Sequence, residues 1–339
     1  MTRQPRASRT PRNLPQLVTI GRVSVDLYAE QVGKPIRSVR TFRKSIGGTA
    51  TNVAVAAARL GNRAALVTKV GDDRFGDYVR HALECTFGVD TRFLGVDPDL
   101  KTPLAFAELD PPEDPNIIFY REPKAPDMNL IAADLDFEVV SEVPILWIPA
   151  SRLSDEPSRS TIREVLRHRA RAPEVVFDLD WRPAFWESEK EATAEIGSVL
   201  DEVTIAIGNR EECRIAVGTS DPKEATRRLL ARGVRASVVK LGGDGVLVTT
   251  SDGNQERIPP FAVNVVCGLG AGDAFGGAFC HGLLNGWTVA AAARYGNAAG
   301  AIVASRLMCA DDMPTPGEIE TFLSTRDGPY RTGVPMPSA

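Results

Sequence analysis

The chain has 339 residues, 43% of them hydrophobic, which is enough to bury one large α/β core or two smaller ones. A formal net charge of −4 provides no overall attraction to nucleic acid or to an anionic membrane, so small molecules are the expected partners. Five scattered cysteines without a Cys-x-x-Cys pair argue against a disulfide framework and fit a reducing cytoplasm. The sequence contains no stretch of 18 apolar residues, so no membrane span is predicted.

The two ends of the chain differ in composition from the middle. Residues 1–13 contain arginines among Pro, Ser and Thr but no acidic residue, which predicts a disordered basic tail, with a functional basic arm as the alternative. Residues 326–339 are rich in Pro, Gly and Ser and predict a flexible tail. The folded domain is therefore expected to span residues 14–325.

Between the tails, short β-branched runs alternate with helical patterns. Strands are predicted at residues 17–20, 64–70, 175–178, 203–207, 236–241 and 245–249, and helices at 52–60, 75–87 and 225–231. This alternation is typical of a mostly parallel sheet with helices on both faces.

Two segments break this alternation, residues 27–46 and 96–121. Both carry alternating patterns with Pro, Thr and charged residues, which predicts half-exposed antiparallel strands. We interpret them as a small β lid at the edge of the domain that excludes water from a reaction. The alternative is a pair of surface hairpins without a closing role.

A Gly-Gly turn opens the helix predicted near residue 52. Gly47 and Gly48 permit close backbone approach to a ligand, and the side chain of Asn52 offers both a donor and an acceptor. The alternative is an ordinary capped helix.

The run Gly268-Leu269-Gly270-Ala271-Gly272-Asp273 carries the clearest chemistry. A β-branched run at residues 261–266 precedes it and a helical pattern follows, so we expect a strand-to-helix turn whose amides hold an anion. A carboxylate there would repel a phosphate, so Asp273 makes sense chiefly as a base that takes a proton from a hydroxyl. This indicates a kinase for small alcohols, whereas the alternative is a helix-capping aspartate.

Together, the two glycine motifs resemble the paired signatures of the ribokinase-like (PfkB-type) carbohydrate kinases. The resemblance covers roughly residues 14–322 and implies an α/β three-layer sandwich with a mostly parallel central sheet and a small antiparallel β lid. It also implies ATP and Mg²⁺ as cofactors and a homo-oligomer, namely a dimer through the lid.

The resemblance implies roles for particular residues, which match the family's motifs in order and spacing. They are Asp273 as the catalytic base with Gly270, Ala271 and Gly272 as the anion turn; Asp26, Gly47, Gly48 and Asn52 at the sugar; Asn209 and Glu212 at a magnesium ion through water; and Asn209, Lys240, Gly242, Gly245 and Asn297 at the nucleotide.

A narrower likeness points to one branch of the family. The stretches at residues 26–31, 118–122, 178–183 and 208–212 resemble the 5-dehydro-2-deoxygluconokinases of inositol catabolism, with 2-keto-3-deoxygluconate kinases as the nearest alternative. Both substrates are sugar acids, and an arginine fork pairs with a carboxylate through two hydrogen bonds. Arg121 and Arg182 are therefore placed at the carboxylate of the substrate, although Arg182 has the transferred phosphate as an alternative partner. The resemblance also places Tyr120 at the substrate.

One departure from the family pattern concerns Cys267. Many members have an aspartate there that helps to bind a monovalent cation, and potassium prefers oxygen ligands, so Cys267 argues against strong activation by K⁺. Two rival functions stay open: a kinase for a neutral sugar such as fructose, ribose or a nucleoside, and a non-catalytic regulator that binds nucleotide or sugar.

Overall fold

The computed structural model describes residues 14–326, so the predictions for residues 1–13 and 327–339 lie outside the described residues. Its thirteen β-strands within that range are β1 (Leu17–Ile20), β2 (Ser24–Ala29), β3 (Phe42–Gly47), β4 (Ala64–Gly71), β5 (Leu94–Asp97), β6 (Leu104–Glu108), β7 (Asn116–Tyr120), β8 (Ile145–Pro149), β9 (Glu174–Asp178), β10 (Ile205–Asn209), β11 (Ala236–Lys240), β12 (Val246–Thr250) and β13 (Gln255–Ile258). The ten α-helices of the same range are α1 (Thr49–Arg59), α2 (Arg74–His81), α3 (Phe137–Glu142), α4 (Ser158–Arg169), α5 (Glu189–Val199), α6 (Arg210–Val217), α7 (Pro222–Ala231), α8 (Ala271–Leu284), α9 (Val289–Ala304) and α10 (Pro316–Arg326).

The central layer is a nine-stranded sheet in the order β13-β12-β11-β10-β9-β8-β1-β4-β5. The strands from β11 to β5 pair in parallel, whereas β12 and β13 add an antiparallel edge. Parallel neighbours need crossover connections, and the helices supply them. The predicted fold class is confirmed: helices cover both faces of a large, mostly parallel sheet, and a second, small sheet accompanies it.

The two faces of the large sheet bury separate apolar clusters. Along β8, for example, Trp147 packs with α1, α8 and α9 on one face, while its neighbours Leu146 and Ile148 pack with α4 and α5 on the other. Because successive side chains of a strand point to opposite faces, a strand buried on both faces must be apolar at every position. This explains the uninterrupted apolar runs in the sequence.

The small sheet, which we call the lid sheet, has the order β3-β2-β6-β7. The pairs β2–β3 and β6–β7 are antiparallel, and one parallel pair, β2–β6, joins them. β6 and β7 lie within the second of the two segments that break the βα alternation, whereas β2 and β3 overlap the first, with β2 beginning before it at Ser24 and β3 ending after it at Gly47. The first residues of the second segment differ from the rest, because Val96 and Asp97 belong to β5 and pair with β4 in the large sheet.

The expectation of a strand at residues 261–266 is wrong. These residues follow β13 and the Pro259-Pro260 pair, and they form no regular secondary structure. The segment instead runs along the end of α9, where the backbone amide of Val266 donates to the carbonyl of Ala304 at 2.9 Å. β-propensity depends on packing against neighbouring strands, and within residues 14–326 no strand pairs with this segment. The anion turn is therefore a loop-to-helix turn.

Within the described range, no helix has both the length and the apolar composition needed to cross a membrane.

Candidate active site

Several of the predicted site residues gather at one edge of the large sheet, together with charged residues that were not predicted. Arg22 follows β1, Asp180 and Arg182 follow β9, and Asn209 and Lys240 end β10 and β11. These strands are parallel, so their carboxyl ends meet along one edge, which is the usual place for ligand binding in open α/β sheets. The lid sheet lies over this edge, and a cleft runs between the two.

The inner face of the lid sheet is set by strand alternation. Ser24, Asp26 and Tyr28 of β2 line the cleft together with Ala105 of β6 and Phe119 of β7. In the strand register, Asp26 stands opposite Ala105, and Ala105 opposite Phe119, so the three share one face. The alternation of side chains along each strand thus determines which side chains of the lid sheet can contact a substrate.

The anion turn begins α8. Gly270 has a φ of +75°, and a Cβ at that position would overlap the Sγ of Cys309, so only glycine fits. The first turn of any helix leaves its backbone amides without helical acceptors, and the helix dipole makes this end partly positive. Gly270 and Gly272 line the cleft, and the side chain of Lys240 reaches the turn, since a Cβ at Gly272 would lie 3.4 Å from its Nζ. The turn can therefore hold an anion.

Asp273 lies on the first turn of α8 and lines both parts of the cleft. We call the part that contains Asp26 and Arg121 the sugar side, and the part that contains Asn209 and Lys240 the nucleotide side, after the ligands expected there. The Nδ2 of Asn52 donates to its Oδ2 at 2.7 Å, so the two glycine motifs meet in a direct contact. Burial raises the pKa of Asp273 to about 6, while Asn52 and Arg182 oppose the rise. The carboxylate is thus ionised but basic near neutral pH, as a general base requires.

The Gly-Gly turn packs closely against other backbone segments and also borders the cleft. A Cβ at Gly47 would overlap the carboxylate of Asp26, and Gly48 has a φ of +102° and sits against the carbonyl of Arg22. Gly48 lines the cleft, whereas Gly47 makes room for Asp26. Both glycines thereby allow β2 and the start of α1 to approach closely.

Asp26 projects from β2 into the sugar side of the cleft. Its carboxylate accepts hydrogen bonds from Ser24 Oγ at 2.6 Å and from the hydroxyl of Tyr28 at 3.2 Å. Burial raises its pKa, although these two bonds oppose the rise. A carboxylate in this position can accept hydrogen bonds from sugar hydroxyls.

Arg121 and Arg182 both line the cleft, each with an aspartate partner. Arg121 NH2 lies 2.8 Å from Oδ1 of the buried Asp127, and Arg182 Nε lies 3.0 Å from Oδ1 of Asp180. Burial alone would raise the pKa of Asp180, but the arginines around it more than offset that effect and hold the pKa below its usual range. Arg182 borders the sugar and the nucleotide sides alike, whereas Arg121 borders only the sugar side of this cleft.

Tyr120 needs a correction, because the structure does not bring it to the cleft. It follows Phe119 on β7 and so points to the opposite, outer face of the lid sheet, where its side chain packs edge-on against Phe106 and is 62% exposed. The motif that included Tyr120 and Arg121 could not show which of two adjacent residues faces inward.

Arg22 lines the cleft, although sequence reasoning did not select it. It is 5% exposed, and its NH2 donates to Thr49 Oγ1 at 2.9 Å and to Asp180 Oδ2 at 3.2 Å. The available signal was its position immediately after the first strand, beside the motif residue Asp26.

On the nucleotide side of the cleft, carboxylate and amide oxygens that could bind a metal ion lie around the ammonium group of Lys240. Asn209 and Glu212 form a capping box at the start of α6, with Glu212 Oε2 3.9 Å from Lys240 Nζ. Asp178 also lines this side, and burial raises its pKa while Lys240 opposes the rise. Hydrated Mg²⁺ prefers hard oxygen ligands and keeps several waters, so Asn209, Glu212 and Asp178 fit such an ion. Gly242 lines the same side.

Two predicted nucleotide residues lie apart from the lining of this cleft. Gly245, with a φ of +89°, lets the turn before β12 pass the carbonyl of Ile258. Asn297, on α9, donates from Nδ2 to the carbonyl of Pro259 at 2.9 Å and so secures the loop after β13. In this structure both residues shape the loops next to the nucleotide side.

A family model for pfkB family carbohydrate kinases matches residues 14–316. The chain belongs to the PfkB family. A curated relative, the 5-dehydro-2-deoxygluconokinase of Bacillus anthracis, is 33% identical over 318 residues, which are 92% of this chain and 95% of the relative. The recognition of the family and the assignment as an ATP-dependent sugar kinase are confirmed.

Solved structures of PfkB-like kinases superpose closely on this one. A putative ribokinase II from E. coli in complex with ATP and Mg²⁺ has a TM-score of 0.83 at 26% identity, covering 92% of this chain and 100% of that one. A fructokinase double mutant from Vibrio cholerae O395, bound to fructose, ADP and potassium ion, has a TM-score of 0.79 at 26% identity, with 92% and 100% covered.

The raised pKa of Asp273 predicts the pH dependence of this PfkB kinase. A base must be ionised to accept a proton, so kcat/KM should fall about tenfold per pH unit below the pKa of about 6. Asn52→Ala removes a hydrogen bond that favours the ionised form, so the acidic limb should move to higher pH by about one unit. The pH profile of kcat/KM measures both effects.

The exposed Asn254 offers a matched control, and Asn254→Ala should leave the pH profile unchanged. An acidic limb that stays in place in Asn52→Ala would contradict the assignment of that limb to Asp273.

Proposed function

We propose that this kinase phosphorylates a primary hydroxyl of a sugar acid, converting 5-dehydro-2-deoxy-D-gluconate to its 6-phosphate in myo-inositol catabolism. The observation that carries the proposal is the convergence of Arg22, Arg121 and Arg182 with the base Asp273 on one cavity. Guanidinium groups recognise carboxylates through charge-assisted hydrogen bonds, which a neutral sugar would not use. The names of the curated relatives point to the same substrate.

In the proposed reaction, each group of cleft residues has a separate role. Asp273 accepts the proton of the attacking hydroxyl, and Asn52 holds its carboxylate in position. The amides of Gly270, Ala271 and Gly272 face the transferred phosphoryl group and stabilise the charge that develops on it. The lid sheet covers the sugar side and excludes water, which would otherwise compete as the acceptor.

ATP supplies the phosphoryl group, and Mg²⁺ bound with it offsets the charge of the phosphates. Asn209 and Glu212 would hold the hydrated ion, and Lys240 and Gly242 would contact the nucleotide phosphates. Gly245 and Asn297 are proposed to act at the nucleotide through the loops that they secure.

We propose that K⁺ does not strongly activate this enzyme. Burial raises the pKa of Cys267 to about 11, so the side chain remains a neutral thiol at physiological pH. A neutral sulfur is a poor ligand for potassium.

An ATP-consumption screen tests the proposal. Purified protein is supplied with sugar acids, including 5-dehydro-2-deoxygluconate and 2-keto-3-deoxygluconate, and with neutral sugars, including fructose and ribose, each with and without K⁺. The highest kcat/KM is expected for 5-dehydro-2-deoxygluconate. A preference for a neutral sugar would contradict the acid assignment, and the absence of turnover with every sugar would contradict the proposed reaction.

The outer face of the lid sheet supports the proposed dimer. Phe106 lies between Phe42 and Tyr120, with ring centroids 5.4 Å apart in each pair, and Leu27 and Ile118 share this face. A contiguous, partly exposed apolar face on a sheet suits a self-complementary contact between two copies.

Phe106→Glu is expected to convert the dimer to a monomer, because it places a charge at the centre of this face. Light scattering coupled to size-exclusion chromatography measures the mass. Phe75→Glu, at another exposed aromatic residue, is the control and should remain dimeric. A wild-type protein that is monomeric at micromolar concentration would exclude the dimer.

A further inference from the structure

Arg22 distinguishes this cleft from one built for a neutral sugar, and we propose that it determines the specificity for the acid. In this inference, which rests on the proposed function, the guanidinium groups of Arg22 and Arg121 together hold the carboxylate of the substrate. Arg182 is then left to face the phosphoryl group.

The side chain of Arg22 is held in place before any ligand binds. Thr49 and Asp180 fix its NH2, and its own carbonyl accepts a hydrogen bond from Thr51 Oγ1 at 2.8 Å. Its Nε is buried and lacks an acceptor among residues 14–326. A buried donor without an acceptor costs free energy unless a ligand supplies one. A carboxylate in the adjoining cavity would be such an acceptor.

The charges at this end of the cavity also call for an anion. Two clusters meet there, each with one aspartate between two arginines: Arg22–Asp180–Arg182 and Arg121–Asp127–Arg152. Each cluster has one positive charge in excess. Asp26 and Asp273 line the same cavity, and their negative charge offsets part of this excess when they are ionised. Both are assigned to hydroxyl groups of the substrate, which leaves the arginines for its carboxylate.

Phe185 brings two of these arginines together. The Cζ of Arg22 lies 4.8 Å from its ring centroid, and the Cζ of Arg121 lies 5.1 Å from it. An aromatic face stabilises guanidinium groups and presents their planar edges to a ligand. Arg22 follows β1 of the main domain, whereas Arg121 follows β7 of the lid sheet. One carboxylate would therefore connect the domain to the lid, which links recognition of the acid to closure.

Arg182 occupies a different position. Its side chain is 40% exposed, and it borders the nucleotide side together with Lys240 and Gly272, whereas neither Arg22 nor Arg121 lines that side. This division assigns the acid to the first two arginines and the phosphoryl group to Arg182.

The test compares 5-dehydro-2-deoxygluconate with its neutral carboxamide in wild-type and variant enzymes. Arg22→Lys keeps the charge but loses Nε and the planar fork. The acid-over-amide ratio of kcat/KM is expected to fall by about 10- to 100-fold, chiefly through KM for the acid, with KM for ATP unchanged. Arg74→Lys, at an arginine whose side chain is 98% exposed, is the matched control and should keep the wild-type ratio.

A wild-type ratio in Arg22→Lys would overturn the inference. If that variant fails to fold, as judged by circular dichroism, Phe185→Leu replaces it, because loss of the ring should also lower the ratio. A thermal-shift measurement without ATP separates this inference from the proposed reaction. Wild-type protein that turns over no sugar, yet is stabilised by the acid and not by the amide, with this difference lost in Arg22→Lys, would refute the reaction while supporting the role of Arg22. Equal stabilisation by both compounds would overturn that role.

Discussion

Asp273→Asn is expected to lower kcat by about 10²- to 10⁴-fold, the range that a positioned general base contributes. Asparagine has nearly the same shape but cannot accept the proton of the attacking hydroxyl. The Asn52 amide can still donate to the new side-chain oxygen, so the local geometry should be kept. Steady-state kinetics with saturating ATP and substrate measure the loss, and KM for ATP should change little.

The same variant is expected to be more stable than the wild type at neutral pH. Burial raises the pKa of Asp273 from an unfolded value near 3.8 to about 6, so ionisation destabilises the folded protein. This penalty is absent below pH 3.8, grows between pH 3.8 and 6, and is complete above pH 6. Because the side chain is half-buried, we expect a gain of about 1 to 2 kcal/mol at pH 7, measured by urea unfolding.

Asp99→Asn, at an exposed aspartate, is the control for both measurements and should change neither turnover nor stability. Near-normal turnover in Asp273→Asn would exclude Asp273 as the base. A loss of turnover accompanied by a loss of stability would indicate a structural defect instead.

Gly270→Ala is expected to cost about 2 to 4 kcal/mol of unfolding free energy and at least about 100-fold in kcat. Two effects combine: a φ of +75° strains any residue with a Cβ, and the added methyl would overlap Cys309 Sγ and lie 2.8 Å from its Cβ. Relief of this overlap displaces the anion turn, and a shift of about 1 Å at reacting groups costs about 10²-fold in rate. Thermal unfolding and steady-state kinetics measure the two losses.

Gly253→Ala separates the two effects. Gly253 has a φ of +91°, but a Cβ added there would meet no heavy atom within 4 Å, so only backbone strain of about 1 to 2 kcal/mol is expected, with full activity. Adding Cys309→Ala to Gly270→Ala should restore part of the stability, because it removes the Sγ from the overlap. Native stability and turnover in Gly270→Ala alone would contradict the requirement for glycine at this position.

Local chemistry explains what could be predicted before the structure. In β6, Ala105 faces the cleft and Phe106 faces outward, because successive side chains of a strand point to opposite faces and this period is a local property. The requirement for Gly270 in the anion turn is equally local, since the backbone there adopts a φ of +75°. Features of this kind can be predicted from the sequence because they depend on residues that are adjacent in the chain.

Contacts between distant segments decided the rest. Asn52 and Asp273 are 221 positions apart, so their hydrogen bond depends on how α1 and α8 pack. The β-branched residues 261–266 found no sheet partner, although their composition favoured a strand. Tyr120 turned outward because the register of β7 places Phe119 in the cleft.

By itself, the sequence determined the family, the fold class and the two glycine turns, because these depend on local backbone geometry and on the order of short motifs. Only the tertiary structure decided which charged side chains meet. Arg22, Arg121 and Arg182 come from three strand ends that are far apart in the chain, and the parallel sheet and the lid bring them to one cavity. Interactions between charged side chains that are distant in the sequence form only after the chain has packed, whereas backbone geometry is set locally.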